Sequence, residues 1–201
     1  HYYDVHSDYA SLPEYEKMFV RPYDGNIDGS SAQLKKFRQG TVEINQRGAE
    51  HLIDLYNAGI RQMDDGIARL LAVIKEQQLL DKTLVVITSD HGEEFLEHGD
   101  ILHGRSQYQE LIHVPLIMSG PGLPNGKRIA KPVSLVDLMP TILALLDLPA
   151  QHRQDGLDLT PLWEDPDGKL PHRLIFAEAD HNNTDNDIKR AVRHPQFKLH
   201  Y

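Results

Sequence analysis

The sequence predicts an α/β fold with a mostly parallel central sheet flanked by helices, and three features carry that expectation. Thr83-Leu-Val-Val-Ile-Thr88 is an unbroken apolar, β-branched run, the pattern of a strand buried on both faces of a parallel sheet. A second run, Val114-Pro-Leu-Ile-Met118, feeds the turn Gly120-Pro-Gly122. Helical segments lie before the first run and after the second, and strands alternating with helices define the class.

Taken in order, residues 1–31 are aromatic and punctuated by Pro and Gly, which reads as a short strand followed by a long surface loop. Inside it, Asp24-Gly-Asn26-Ile-Asp28-Gly29 mimics the first half of an EF-hand calcium loop. The twelfth position, which needs a bidentate Glu, is Lys35, so the segment is read as an Asp/Asn/Gly turn. From about Gly48 to Leu80 the residues Leu52, Tyr56, Ile60, Met63, Ile67, Leu70 and Ile74 recur at spacings of three and four, one apolar stripe of a packing helix. Ser134 to Leu146 reads as a second helix, with Ser134 as N-cap. Pro140 moves its regular start to about Asp137-Leu138-Met139, where a proline falls in the first turn. Asp137 is a helix-start carboxylate in this reading. Leu174–Ala177, Ala191–Val192 and the segment ending Phe197-Lys198-Leu199 read as late strands.

The 201 residues suffice for a real core, and 40% apolar with 25% charged residues excludes a disordered chain. No apolar run approaches the ~18–20 residues of a membrane-crossing helix. A net charge of −9 without a basic cluster argues against nucleic acid as a partner. Cysteine is absent, so disulfides, thiolate metal sites and a cysteine nucleophile are excluded within this sequence. The abrupt opening His1-Tyr-Tyr-Asp4-Val5-His6 and the strand-like close at Tyr201 give the expectation of a segment cut from a longer protein.

Ligands of α/β sheets collect at the carboxyl ends of strands, and Ser89-Asp90-His91-Gly92 occupies such an end. Asp90 offers a hard carboxylate oxygen and His91 an imidazole nitrogen, a compact pair for one divalent cation, and Gly92 lets the backbone turn at once. Alone, the dipeptide fits a turn cap better than a metal site, and it is the downstream sequence that shifts the reading. The loop that follows, from Glu93 to Arg105, is dense in ionisable groups, including His98, His103 and Arg105, and it links two strands, a place where function is commonly carried. Neither Glu93 nor Glu94 is assigned as a ligand, and His98 is assigned a structural role.

The stretches Thr88-Ser-Asp-His-Gly-Glu-Glu94, Glu97-His-Gly99, Tyr108-Gln-Glu110-Leu111, Val114-Pro-Leu-Ile117 and Gly120-Pro-Gly122 resemble the sulfatase family of the alkaline phosphatase superfamily. So do the helix carrying Leu55-Tyr56 through Leu70-Leu71, the segment Val133-Ser-Leu-Val-Asp137-Leu-Met-Pro140-Thr141, and Lys189 to Arg193 with Phe197-Lys198-Leu199. The resemblance implies an alkaline-phosphatase-like fold, incomplete at the N-terminus, with residues 1–150 in the main α/β body and 151–201 opening a C-terminal region. It implies that Asp90 and His91 are metal ligands, where other members have Asp-Asn. His103 falls where several members carry a sulfate-contacting Lys, and as a histidine it can donate a hydrogen bond or act as general acid. His6 matches the histidine of the family's D-P-H segment, with Val5 in place of the proline. Arg105, outside the family pattern, reads as a cation beside the anion pocket or, as loop arginines commonly are, as a solvated side chain, and Asp180-His181-Asn182-Asn183 reads as a polar border of the groove or as a solvated turn.

The resemblance further implies a divalent metal, Ca²⁺ by its hard oxygen donors, with Mn²⁺ or Zn²⁺ compatible with an imidazole. The family's formylglycine nucleophile is expected upstream, because the sequence has neither Cys nor a Ser-x-Pro-x-Arg motif. The segment alone is therefore expected to be inactive and the full-length protein to be a sulfuric ester hydrolase acting on a sulfated small molecule or carbohydrate; the residues leave the compartment open, and the resemblance favours the periplasm or the outside of the cell. Two other readings stand beside it: a phosphodiesterase or phosphonate monoester hydrolase of the same superfamily, suggested by His91 in place of Asn, and a non-catalytic binding module that kept the fold.

Overall fold

Asn45 starts the longest element: its side chain accepts the Gly48 N–H at 2.9 Å and so satisfies an orphan donor of the first helical turn. In the computed structural model, which describes residues 1–150, 152–165, 173–180, 188–194 and 196–200, this helix is α3 (Gln46–Glu76). In chain order the elements are α1 (Pro13–Phe19), α2 (Ser31–Arg38), α3, β1 (Val85–Thr88), β2 (Glu94–Phe95), β3 (Ile101–Leu102), α4 (Gln109–Ile112), β4 (Leu116–Ser119), α5 (Leu138–Leu145), α6 (Pro161–Glu164), β5 (Ile175–Asp180), β6 (Ile188–Arg193) and β7 (Lys198–His200). The chain folds as two units: His1–Leu80 with Glu93–His103, and Asp81–Gly92 with Gly104–Tyr201.

The first unit packs α3 against the β2–β3 hairpin and the loops around it. Leu34 of α2 and Leu52 of α3 are fully buried, with Tyr9, Ile27, Ile44, Leu55, Phe95 and Ile101 around them. The apolar stripe of α3 is buried only in its N-terminal half; further along, Ile60 and Leu70 are exposed. Asp54, off the predicted stripe, is buried instead. It is held by the Arg21 guanidinium at 2.8 and 3.0 Å and by the Arg21 backbone N–H at 3.1 Å. Paired charges tolerate burial that single ones do not, and a partner 33 residues away leaves no trace in a helical periodicity. The predicted N-terminal strand is absent among the described residues. Instead α1 forms, with Pro13 at its first position and Glu14 and Glu16 in its first turn, both favourable at a helix start. The Asp24–Gly29 segment is an irregular turn ahead of α2. Asp28 Oδ1 accepts the Ser30 N–H at 2.9 Å, and Ser30 caps α2.

In the second unit β1 pairs with β4 in antiparallel register, from Val85↔Ser119 to Thr88↔Leu116. The α/β class holds, but the mostly parallel sheet expected from the apolar runs is replaced by antiparallel pairing throughout the described strands. The reason is connectivity: the chain leaves β1 at Thr88 and re-enters β4 at Leu116 on the same end, whereas a parallel pair needs a crossover to the opposite end. β1 is accordingly half-buried rather than covered on both faces, and Ile117 of β4 is exposed. The late strands form one antiparallel sheet in the order β5-β6-β7. His181, Asn182 and Asn183 lie outside the described residues.

Before α5 stands a 3-10 turn, Leu135–Asp137, and Pro140 is the third residue of α5, as its lost N–H requires. Asp137 is completely buried and accepts the N–H groups of Ser134 and Leu157, both at 2.8 Å, together with the Arg173 guanidinium. Thr141, one helical turn on, donates its hydroxyl to Asp137 O at 2.6 Å and accepts the Leu159 N–H at 3.0 Å. The carboxylate thus ties α5 to the chain leading into α6. It is a structural anchor.

Candidate active site

The strand-end pair lies in the second unit. β1 ends at Thr88, and Ser89 Oγ then donates to the His91 carbonyl at 2.7 Å, which tightens the turn. Asp90 Oδ1 accepts the His91 N–H at 3.1 Å, and the Asp90 side chain is 80% exposed. His91 Nδ1 stands 2.7 Å from the Gly92 carbonyl. A carbonyl only accepts, so Nδ1 carries the proton and the lone pair of the neutral ring sits on Nε2. That nitrogen is 3.8 Å from Asp90 Oδ2. Two donors sharing a cation through bonds of ~2.1–2.5 Å are separated by roughly 3–4 Å, so the donor set and its spacing fit a divalent ion. Burial pushes the Asp90 carboxyl up, but the neighbouring His91 and the hydrogen bonds from His91 N–H and Ser89 outweigh it and hold the group below its ordinary range, hence ionised.

Gly92 serves this turn by its lack of a side chain rather than by an unusual φ. A Cβ there would stand 1.9 Å from the Glu110 carbonyl oxygen, and its N–H donates to Leu111 O at 2.8 Å. The backbone after His91 therefore runs in contact with α4. Arg105, in the same unit, is exposed.

The first unit gathers the two other predicted histidines. The rings of His6 and His103 meet edge to face with centroids 5.3 Å apart. His6 is placed from α3: a Cβ on Gly59 would lie 2.8 Å from Asp4 O, so only glycine lets this segment rest on the helix, and Gln62 Nε2 donates to Asp4 Oδ1 at 2.9 Å. His6 Nδ1 lies 2.8 Å from the Ser7 carbonyl. His103 follows β3, and its Nδ1 lies 2.9 Å from Glu93 Oε1, a carboxylate whose side chain is only 4% exposed.

Three residues of this cluster went unassigned in the sequence. Glu93 is the first. Arg38 of α2 is the second: its Nη2 donates to the carbonyls of Ile101 at 2.5 Å and His103 at 3.0 Å, and its Nε to Asp100 Oδ1 at 3.2 Å. Tyr9 is the third. Its hydroxyl is buried without a hydrogen-bond partner of good geometry, and its pKa is pushed far up, first by burial and then by the Glu93 charge. Tyr56 is raised for the same two reasons in the same order. Only the position of Glu93, inside the ionisable loop, hinted at any of this. Glu94, buried beside it, closes the hairpin by accepting the N–H groups of His98 at 3.2 Å and Asp100 at 3.1 Å.

Comparison with known proteins follows the same lines. A model of the sulfatase family matches residues 1–148. Arylsulfatase K of the dog, Canis lupus familiaris, is 31% identical over 163 residues, 79% of this chain and 30% of that protein. Arylsulfatase K of the chicken, Gallus gallus, is 32% identical over 134 residues, 66% of this chain and 25% of its own length. The chain thus spans under a third of these curated relatives. Among solved structures, BT4656 in complex with its substrate D-glucosamine-2-N,6-O-disulfate has a TM-score of 0.67 at 24% identity, covering 86% of this chain and 36% of that one. The phosphonate monoester hydrolase of Silicibacter pomeroyi has a TM-score of 0.71 at 23% identity, covering 96% and 41%. At these identities the structural likenesses establish the alkaline-phosphatase-like fold alone.

Proposed function

Because the chain belongs to the sulfatase family, we propose that it carries part of the catalytic apparatus of a sulfuric ester hydrolase. Asp90 and His91 hold a divalent cation, and His103 and His6 contact the sulfate. The observation that supports this reading best is the strand-end corner, where the Gly92 carbonyl fixes the His91 ring so that its lone pair lies 3.8 Å from an Asp90 oxygen. Family membership implies a divalent cation, and the mixed carboxylate and imidazole donors suit Ca²⁺ while tolerating Mn²⁺ or Zn²⁺. When bound, such an ion would supply positive charge for an anionic ester. The residues of this chain do the rest of their work as donors. His103, when protonated, hydrogen-bonds the anion through Nε2–H and delivers that proton to the leaving alcohol oxygen as the S–O bond breaks. His6 adds a second contact, and Arg105 supplies a further exposed cation. The nucleophile comes from a part of the protein outside this sequence.

The substrate class is a sulfated carbohydrate or aryl ester, the kind of compound that the names of the relatives and of BT4656 point to. No described helix is long and apolar enough to cross a membrane. A second reading, phosphonate monoester hydrolysis, is favoured by one observation, the histidine in the metal pair, and it shares the fold of the Silicibacter enzyme. Paired assays of the full-length protein on matched aryl sulfate and phenyl phosphonate esters decide between them by the ratio of kcat/KM. Asp90→Ala and His103→Asn are each expected to lower sulfate turnover by about 100-fold or more. Unchanged turnover in both variants, or no sulfate hydrolysis by the wild type, overturns the proposal.

A further inference from the structure

We propose that Glu93 is the positioning residue of His103: its buried carboxylate accepts a hydrogen bond from Nδ1–H, fixes the tautomer and ring plane, and turns Nε2 toward the ester. This rests on the hydrolase reading above only for the identity of the ester; the positioning itself stands on three independent features of the first unit. The first is the 2.9 Å contact between Glu93 Oε1 and His103 Nδ1, made by a carboxylate that is almost wholly removed from water. A carboxylate in such a place is costly unless its lone pairs are used, so a ring N–H aimed at it is held firmly. The second is backbone strain. Leu102, the residue just before His103, has φ 66°, a left-handed conformation that the Cβ of a leucine disfavours. The third is the clamp that holds this conformation: the Arg38 guanidinium binds the carbonyls on both sides of Leu102, those of Ile101 and His103, while its own side chain is only 12% exposed. One residue thus orients the ring while another fixes the backbone that bears it. A loop that merely closed a hairpin needs neither.

The arrangement gives His103 an edge contact with His6 while Nδ1 is engaged, so the ring has one orientation in which both neighbours are satisfied. Removing the carboxylate leaves the backbone clamp intact but takes away the acceptor that holds the Nδ1 proton.

The test reads the tautomer directly. Long-range ¹H–¹⁵N correlation spectra of the 201-residue protein report which ring nitrogen of each histidine is protonated, and the His103 signal is assigned by its loss in His103→Asn. In wild type, the neutral His103 ring is expected to carry its proton on Nδ1. In Glu93→Met, which keeps the volume and removes the acceptor, it is expected to become a mixture. A wild-type proton on Nε2 overturns the proposal, as does an unchanged tautomer in folded Glu93→Met. If that variant does not fold, the wild-type spectrum decides alone. In the full-length enzyme, Glu93→Met is expected to lower kcat by about 10–100-fold with KM within about twofold, and to add less than about twofold in a His103→Asn background. Additive losses would mark Glu93 as a general structural support and overturn the inference. Absence of sulfate turnover in wild type with the Nδ1 tautomer present removes the proposed function and leaves the positioning standing. Turnover that is indifferent to Glu93→Met does the reverse.

Discussion

Asp137→Asn is nearly isosteric, yet it is expected to destabilise the second unit by about 2–4 kcal/mol. The magnitude follows from what the carboxylate accepts. Oδ1 takes the Leu157 N–H at 2.8 Å, while Oδ2 takes the Ser134 N–H at 2.8 Å and the Arg173 guanidinium. An asparagine keeps its carbonyl oxygen for Leu157 and places an NH₂ where Oδ2 stood, so two donors face a donor. Each stranded donor in a partly buried place costs about 1–2 kcal/mol, and the Arg173 side chain, 23% exposed, recovers part of its loss in water. Asp137→Ala, which strands all three donors, is expected to cost about 3–5 kcal/mol. The assay is urea unfolding followed by the fluorescence of Trp163, the only tryptophan in the sequence. It lies in α6, which the Thr141–Leu159 hydrogen bond ties to Asp137. A midpoint for Asp137→Asn within about 0.5 kcal/mol of wild type, at unchanged slope, refutes the anchoring role, because surface carboxamide exchanges fall in that range.

Other consequences follow from the same geometry. Gly92→Ala drives a methyl group to within 1.9 Å of the Glu110 carbonyl, and since that neighbour is backbone it is expected to cost about 2–3 kcal/mol and to disturb the His91 turn, read by thermal unfolding. Asp90→Ala, at an exposed side chain, is expected to leave stability within about 0.5 kcal/mol while lowering Ca²⁺ or Mn²⁺ affinity at least about tenfold by titration calorimetry. Burial alone would raise the Asp54 carboxyl, but the Arg21 guanidinium and backbone N–H hold it below its ordinary range. The pair therefore stabilises the fold above the usual carboxylate range, and that contribution is lost as pH falls through the depressed value, below about pH 4. Asp54→Asn should flatten the acid limb of the unfolding profile, and an unaltered limb would contradict the pairing.

The parts of this fold that were legible in the sequence are those set by local chemistry. Pro140 located the start of α5, the apolar spacing located α3, and the run ending at Thr88 placed Asp90 and His91 at a strand end. What escaped was whatever depends on a partner. Periodicity reports that a face is apolar and is silent on what covers it, so the exposed half of α3 and the half-buried β1 could not be told from covered ones. Strand direction is set by which end the chain returns to, and 27 residues separate Thr88 from its partner, the Pro115 carbonyl, across a loop with no sequence rule for its path. Gly92 was read as a turn residue when its task is to admit the Glu110 backbone. Arg38 sits 65 residues before the His103 carbonyl that it holds, and no local pattern reports such a contact.

His103 and Glu93 are best understood together. The resemblance to sulfatases implies a lysine as the alternative to His103. An ammonium is a near-spherical charge with rotatable donors and needs no partner to aim it. An imidazole has two inequivalent nitrogens, and its usefulness depends on which of them is protonated and which way it points. A histidine at this position therefore creates a requirement that lysine does not have. The structure meets it with a carboxylate 2.9 Å from Nδ1 and a strained leucine pinned on both sides by Arg38. The same carboxylate beside a lysine would capture the ammonium in a buried ion pair and draw it toward the protein, since such a pair gains from close contact what it loses in hydration. Glu93 and His103 are thus one functional unit written in two residues ten positions apart, and a sequence read one position at a time assigns a role only to the second.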